Sequence, residues 1–400
     1  MEKSWHMKIV CAIVLLCMAT GIPATAQTFT NLVNFDGANG NDPYNASLVV
    51  GPNGDLYGTT IVGGTNGLGN VYEITPTGGL TTIYDFCSQS NCSDGYLPYG
   101  GLTLGTDGNF YGTTSGGGTN FAGTVYQITP SGTLTTLYSF CSQSNCADGQ
   151  NPSAALVQGA NGDFYGTTGS GGAHSSGTVF EITTSGTLTT LYNFCSLTNC
   201  ADGWTVFSAL TRASNGKLYG VTLYGGASGF GTVFSITATG TLTTLHGFSG
   251  KDGQTPWGGL VQATDGNLYG TTSGGGRTNN GIVFKIGKFG GLTKIRDFCL
   301  SAYCTDGAVP LGTLIQGSNG SLYGTTISGG ANYRGTVFEI TTAGVLTTLH
   351  SFAGTDGQSP YAGVVQDVAN GTLYGTTFSG GDSSCTTNGT GCGTIFSLVP

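Results

Sequence analysis

Residues 152–194, PSAALVQGANGDFYGTTGSGGAHSSGTVFEITTSGTLTTLYNF, read as four short β-strands joined by turns. PSAALVQGA forms strand A, DFYGTT strand B, GTVFEIT strand C and TLTTLYNF strand D. The segments are rich in β-branched and aromatic residues and show no helical spacing. Asn161-Gly162 between A and B is a strong hairpin signal, and both turn residues are expected at positive φ. Ser185-Gly186 supplies the C-to-D turn.

The same unit recurs along the chain. Tyr-Gly-Thr-Thr (once Tyr-Gly-Val-Thr) starts at Tyr57, Tyr111, Tyr165, Tyr219, Tyr269, Tyr323 and Tyr374, at intervals of 54, 54, 54, 50, 54 and 51 residues. Asn-Gly or Asp-Gly precedes each, at 53, 107, 161, 215, 265, 319 and 370. Seven four-stranded antiparallel units predict an all-β, seven-bladed β-propeller. The last repeat ends after its C strand, whereas Phe29-Thr-Asn-Leu-Val-Asn-Phe35 matches the D pattern Leu134-Thr-Thr-Leu-Tyr-Ser-Phe140. The N-terminal strand is therefore expected to complete blade seven and remove the exposed edges.

Residues 1–26 read as a signal peptide: Lys3 and Lys8, an apolar run from Ile9 to Met18, and the small-x-small site Ala24-Thr25-Ala26. Residues 27–400 are expected to be one propeller domain, exported to a secreted or cell-surface location. The formal charge is −9, and loss of Glu2, Lys3 and Lys8 makes it one unit more negative. That sign argues against nucleic acid and anionic membranes as partners. No stretch after residue 26 is long and apolar enough for a membrane span.

Cysteines beyond the leader fall into close pairs: Cys87/Cys92, Cys141/Cys146, Cys195/Cys200, Cys299/Cys304 and Cys385/Cys392. Local pairs in an exported chain read as disulfides. Phe140 and Asp148 are eight residues apart where the pair is present, and Phe248 and Asp252 four apart where it is not. The pair thus arrives with a loop insertion and is expected to staple that enlarged loop. These spacings are not those of zinc knuckles, and neither a metal nor a cofactor is expected.

At the blade level the chain resembles kelch propellers, whose B strands also end in Gly-Gly; here the pair stands at 63/64, 117/118, 171/172, 225/226, 275/276, 329/330 and 380/381. It lacks the kelch D-strand Trp. Over nearly its whole length it is more similar to the GloVer (Gloeo/Verruco) tandem-repeat family of exported bacterial proteins, through the phrase GNLYGTTSGGG…GTVF…LTTLYSF. C-terminal anchors vary in that family, and none is read here up to Pro400. The resemblance implies fold and compartment and carries no chemistry with it.

Function is then sought in what the repeats do not share. The D-to-A and B-to-C loops, which hold all the length variation and the cysteine pairs, belong on one face, and loops on a rigid scaffold are where binding concentrates. Aromatic residues gather where strand A begins: Tyr44, Tyr99, Trp257 and Tyr361 each follow Pro, Phe207 takes the matching place, and Trp204 lies just before it. Such rings either stack on sugar faces or pack against the next blade. An acid precedes each strand A (Asp94, Asp148, Asp202, Asp252, Asp306, Asp356, with Asn39 in the first repeat), and reads as a turn cap or as a cation or polyol site at the channel mouth. His174, Arg277 and Arg334, with Phe121, Tyr224 and Phe230, are unshared loop residues; His246 and His350 read as D-strand side chains.

Catalytic signals are weak. No Ser carries Gly at both −2 and +2. Glu73, Glu181 and Glu339 share one C-strand position and read as repeat drift. The expectation is a monomeric, non-catalytic binding propeller for an extracellular glycan or cell-wall polymer, through Tyr44, Tyr99, Trp204, Phe207, Trp257 and Tyr361. A protein-contact or adhesion scaffold is the alternative, followed by a carbohydrate-active enzyme using the ring of Asp residues.

Overall fold

A computed structural model describes residues 27–44, 47–382, 384–385 and 390–400; the expected signal peptide lies outside them. Seven four-stranded antiparallel sheets are arranged as blades. In blade three the strands are Val157–Gln158, Phe164–Thr168, Thr178–Ile182 and Leu188–Asn193. The outermost strand of blade seven is the N-terminal Thr28–Asn34, paired with Thr394–Val399 from Thr28↔Val399 to Asn34↔Thr394. Even the bulge is shared. Blade three shifts register between Val179 and Phe180, and the closing strand shifts between Asn31 and Val33. No helix among the described residues is long and apolar enough to cross a membrane.

Two expectations need correction. Strand A is expected over nine residues in blade three, yet only Val157 and Gln158 pair with strand B. The residues before them run along the axis, blade against blade: a Cβ on Gly100 would lie 2.5 Å from the Ala154 carbonyl carbon. Their neighbour is thus another blade's backbone. The A-to-B turn also differs. Only Gly162 has positive φ (88°), and the bonds Gly162 N–H to Gly159 C=O and Gly159 N–H to Asp163 C=O close a three-residue loop with a left-handed glycine. Asn161 acts through its side chain, accepting the Asp163 N–H and donating to Asp163 and Glu181.

The core is seven wedges rather than one centre. Each hydrophobic cluster joins two consecutive blades, as Tyr165, Val179 and Phe194 do with Leu210, Leu218 and Phe234. The wedge of Phe35, Leu48 and Tyr72 with Tyr374 and Ile395 closes the ring between blades seven and one.

This explains the recurring Tyr-Gly-Thr-Thr. Tyr111 stacks on Phe164 of the next blade, with centroids 3.9 Å apart. Gly166 stands opposite Phe180, where a Cβ would meet the ring at 2.5 Å. Thr113 donates to the Ala154 carbonyl of the next blade at 3.0 Å, and Thr114 shares a hydrogen bond with Thr124 within the blade at 2.8 Å. The motif is structural throughout.

Candidate functional site

Between each D strand and the following A strand the chain crosses one face of the disc. The D-to-A and B-to-C loops meet there, as the bridges Gln150↔Ser170 and Trp204↔Tyr224 record. All five cysteine pairs form disulfides in these loops. Cys87–Cys92, Cys141–Cys146, Cys195–Cys200 and Cys299–Cys304 lie in D-to-A loops, and Cys385–Cys392 lies in the B-to-C loop of blade seven.

The four D-to-A cystines each close a loop at a sequence separation of five residues, as expected of a staple, and the same turn also ties that loop to its neighbour. Cys92, Cys146, Cys200 and Cys304 each end a short 3-10 turn at φ of 50° to 55°. That turn aims the cysteine carbonyl at the neighbouring B-to-C loop. There it accepts the N–H of the second glycine of the Gly-Gly pair: Cys92 from Gly118, Cys146 from Gly172, Cys200 from Gly226 and Cys304 from Gly330, at 2.9–3.0 Å. The loops without cysteines keep the bond, with Gly250 C=O accepting from Gly276 and Gly354 C=O from Gly381. The cystine therefore closes its own loop, as expected, and in doing so sets the carbonyl that joins this loop to its neighbour. Cys392 differs again. It is buried with Cys385 in the wedge between blades seven and one, and its carbonyl accepts the Asp42 N–H at 3.1 Å.

Each D-to-A loop passes through a left-handed residue before turning down into strand A: Asp42, Leu97, Asn151, Thr205, Thr255, Val309 and Ser359, with φ from 52° to 59°. This conformation is costly for β-branched residues such as Val309. A backbone clamp holds it. Asn151 N–H donates to Ala122 C=O of the preceding blade, and Asn151 C=O accepts Gly169 N–H of its own blade; Val309 makes the same pair with Asn280 and Ile327. Two positions beyond each clamp stand Tyr44, Tyr99, Ser153, Phe207, Trp257, Leu311 and Tyr361. They form a collar around the axis.

Tyr44 stacks on Tyr361 at 4.6 Å and meets Tyr99 edge-on at 5.4 Å; Phe207 lies 5.6 Å from Trp257. Burial first, and then the neighbouring Tyr361 and Tyr99 phenols, push the Tyr44 hydroxyl up to about 12, so it keeps its proton. Where blade three has Ser153 in place of a ring, the collar opens into a cavity of about 460 Å³ lined by Tyr44, Tyr99, Asn151, Ser153, Phe207 and Trp257, among others. That volume falls in the usual range for small-ligand sites, ~300–1,000 Å³. Gly169 leaves room for it, since a Cβ there would lie 2.3 Å from the Phe207 ring.

Five of the six expected ligand-binding residues thus belong to the collar, and four line the cavity. Trp204 does not. It lies outward on the loop face, over Tyr224 at 4.7 Å, and both are 39% exposed. Phe121, Phe230 and Tyr333 are likewise exposed on B-to-C loops, with His174, Arg277 and Arg334. Arg334 reaches Gln358.

The ring of acids is a set of loop locks rather than a channel-mouth site. Asp148 accepts from Tyr138 Oη (2.8 Å), from the Ser142 N–H and hydroxyl (2.9 and 3.0 Å) and from the Gln143 N–H (3.3 Å). Asp94 and Asp202 repeat the pattern, and all three are fully buried. In two of the three D-to-A loops without cysteines the Tyr is replaced by His, and His246 bonds Asp252 and His350 bonds Asp356, both at 2.8 Å. With its oxygens spent on its own loop, such a carboxylate has little left for a ligand. The Glu position also has a structural use: Glu181 accepts from Tyr165 Oη at 2.5 Å, at the opposite face.

Sequence reading missed three collar features. Ser153 is visible only as a gap once the seven positions are aligned on the clamp. Phe378 joins the Tyr44–Tyr361 stack edge-on, at 5.6 and 5.1 Å, from a B-to-C loop. Asp42 takes a clamp position otherwise held by uncharged residues; it is 6% exposed, and burial pushes its carboxyl up to about 6.

Solved structures similar to the chain are propellers of low identity. The extracellular domain of BT4673 from B. thetaiotaomicron, assigned as a hybrid two component system, matches with a TM-score of 0.58 and 10% identity, over 92% of this chain and 39% of that one. This chain therefore spans about two fifths of that protein's length. A protein from Bacteroides uniformis assigned as a 6-phosphogluconolactonase matches with a TM-score of 0.53 and 15% identity, over 80% and 88% of the two chains. At such identities the likeness concerns the fold alone. No curated protein sequence matches. The model of the Gloeobacter/Verrucomicrobia repeat matches twice, over residues 21–211 and 196–396, and the chain belongs to that repeat family.

Proposed function

We propose that this is an exported binding protein whose single propeller domain, residues 27–400, acts as a monomer and holds a glycan or cell-wall polymer on its loop face without converting it. The supporting observation is the collar: Tyr44, Tyr99, Phe207, Trp257 and Tyr361 gathered at one axial opening, with their flat faces and polar edges suited to sugar rings. Disulfides persist in oxidising compartments, which fits export behind a leader at residues 1–26. The saturated Asp carboxylates weaken the case for an acid/base pair among them.

The test is a glycan array probed with purified residues 27–400. Binding that Trp257→Ala removes supports the reading; binding unchanged in Trp257→Ala and Tyr99→Ala would refute the site.

A second reading, a protein-contact scaffold, draws on the exposed Trp204, Tyr224, Phe121 and Tyr333 around the same face. Capture of a surface protein that Trp204→Ala abolishes, with no dependence on glycan, would favour it.

A further inference from the structure

We infer that the opening at Ser153 is the specificity-determining seat of the collar and that it takes an uncharged sugar residue rather than a uronic acid or other anionic sugar. This deepens the glycan reading and rests on it.

Three observations carry the inference. First, the collar has one small side chain: five of its seven positions hold an aromatic ring and blade six holds Leu311, while blade three holds Ser153, and the cavity lies there, flanked by Tyr99 and Phe207. Second, the cavity is lined by no charged side chain: its polar wall consists of Ser115, Asn151, Ser153, Ser170, Thr205 and the tyrosine phenols. An anionic sugar would leave water for a site with no cation to receive it, a transfer that is unfavourable without a paired charge. Third, the wall keeps donors for a ligand. Asn151 and Ser170 are engaged with each other and with backbone carbonyls, which fixes them. The Tyr44 and Tyr99 hydroxyls, the Trp257 indole N–H and the Thr205 hydroxyl make no hydrogen bond among the described residues. Hydroxyls set between aromatic faces are what a neutral pyranose requires: apolar C–H faces for the rings and hydroxyls for the polar edges.

The substitution that tests the seat is Ser153→Tyr, which restores the residue found at the equivalent position in blades one, two and seven. Titrations of residues 27–400 with gluco-, xylo- and manno-oligosaccharides, and with oligogalacturonate as the charged counterpart, read affinity by calorimetry. Ligand-induced change in tryptophan fluorescence reads position. The expected result is binding of at least one neutral series, weaker by tenfold or more in Ser153→Tyr at unchanged melting temperature, with oligogalacturonate at least tenfold weaker on the wild type. The fluorescence change is expected to survive Trp204→Phe and vanish in Trp257→Phe. If Ser153→Tyr does not fold, the pair of Trp variants still decides the seat.

Neutral sugars that bind equally to Ser153→Tyr, or whose fluorescence signal follows Trp204, would overturn the seat while leaving glycan binding standing. Equal affinity for oligogalacturonate would overturn the neutral selectivity. Absence of binding by every saccharide would overturn the functional reading itself, and this inference with it.

Discussion

The phenyl ring of Phe29 lies 3.7 Å from the imidazole of His350, with the two planes 5° apart. Phe29 is on the strand that begins at Thr28 and completes blade seven, and His350 is on the last strand of blade six, so the contact ties the N-terminal strand to the preceding blade. Phe29 also stacks on Phe396 at 5.4 Å and meets Phe352 edge-on at 5.8 Å. One side chain near the start of the propeller therefore fills the wedge between blades six and seven.

Phe29→Ala is expected to destabilise the protein by about 2 kcal/mol, below the full cost of a buried Phe→Ala change because the ring is half-buried. Thermal unfolding followed by circular dichroism measures this. A loss under about 0.5 kcal/mol would mean that the seam is held by backbone pairing alone.

Gly166→Ala places a methyl 2.5 Å from Phe180 and 2.7 Å from Leu156. Overpacking of this kind costs roughly 1–3 kcal/mol. Pairing it with Phe180→Leu is expected to recover part of the loss in a double-mutant cycle of denaturant melts. Strict additivity would show that the glycine serves some other purpose.

Asp42 is expected to give the fold's stability a pH dependence. Its carboxyl is raised from 3.8 to about 6 by burial, so the folded state favours the protonated form. Its contribution to stability is greatest below pH 4 and is lost as the pH rises through 6. Asp42→Asn, the residue that blade three uses at this clamp position as Asn151, is expected to remove that slope and to be more stable by about 2 kcal/mol at pH 7.5. Chemical denaturation at pH 4, 5, 6 and 7.5 decides it; parallel curves for wild type and variant would exclude the assignment.

Asp252 has the opposite sign. Burial pulls its carboxyl upward, but the Ser249 hydroxyl and N–H together with His246 outweigh burial and hold it below the ordinary carboxylate range. Its contribution is present above the unfolded value near 4 and is lost as the pH falls through the lower folded value. Asp252→Asn is expected to cost about 1 kcal/mol at pH 7 and less at pH 2. An equal cost at both would show that the hydrogen bonds, not the charge, hold the loop.

The blades, their number and their closure were legible because each depends on residue types at a fixed local spacing. Tyr-Gly-Thr-Thr, the turn glycines and the D-like segment Phe29–Phe35 carry that information within a few residues of themselves. The cysteine pairing is just as local, but its use is not: that Cys146 presents its carbonyl to Gly172 depends on a second loop. The collar was legible in part: the aromatic residues after each Pro could be named, but not which of them face one another. Trp204 stands three residues from Phe207, yet bridges outward to Tyr224 while Phe207 turns to the axis. The clamp residue between them, Thr205 at φ 59°, makes that difference. The acids were legible as turn caps, and Asp148 does accept the N–H groups of its own loop; that Tyr138 and the Ser142 hydroxyl complete the set depends on how the loop folds back.

Read alone, the chain determined a closed seven-bladed disc with its elaborated loops on one side, since strand pattern and turn chemistry act at short range. Only the tertiary structure decided that Asp148 and its counterparts are spent on their loops, and that the opening in the collar lies at Ser153. The first depends on how each loop folds back on partners five to ten residues away; the second is set at the axis, where neighbours such as Tyr44 and Tyr99 come from different blades some fifty or more residues apart in sequence.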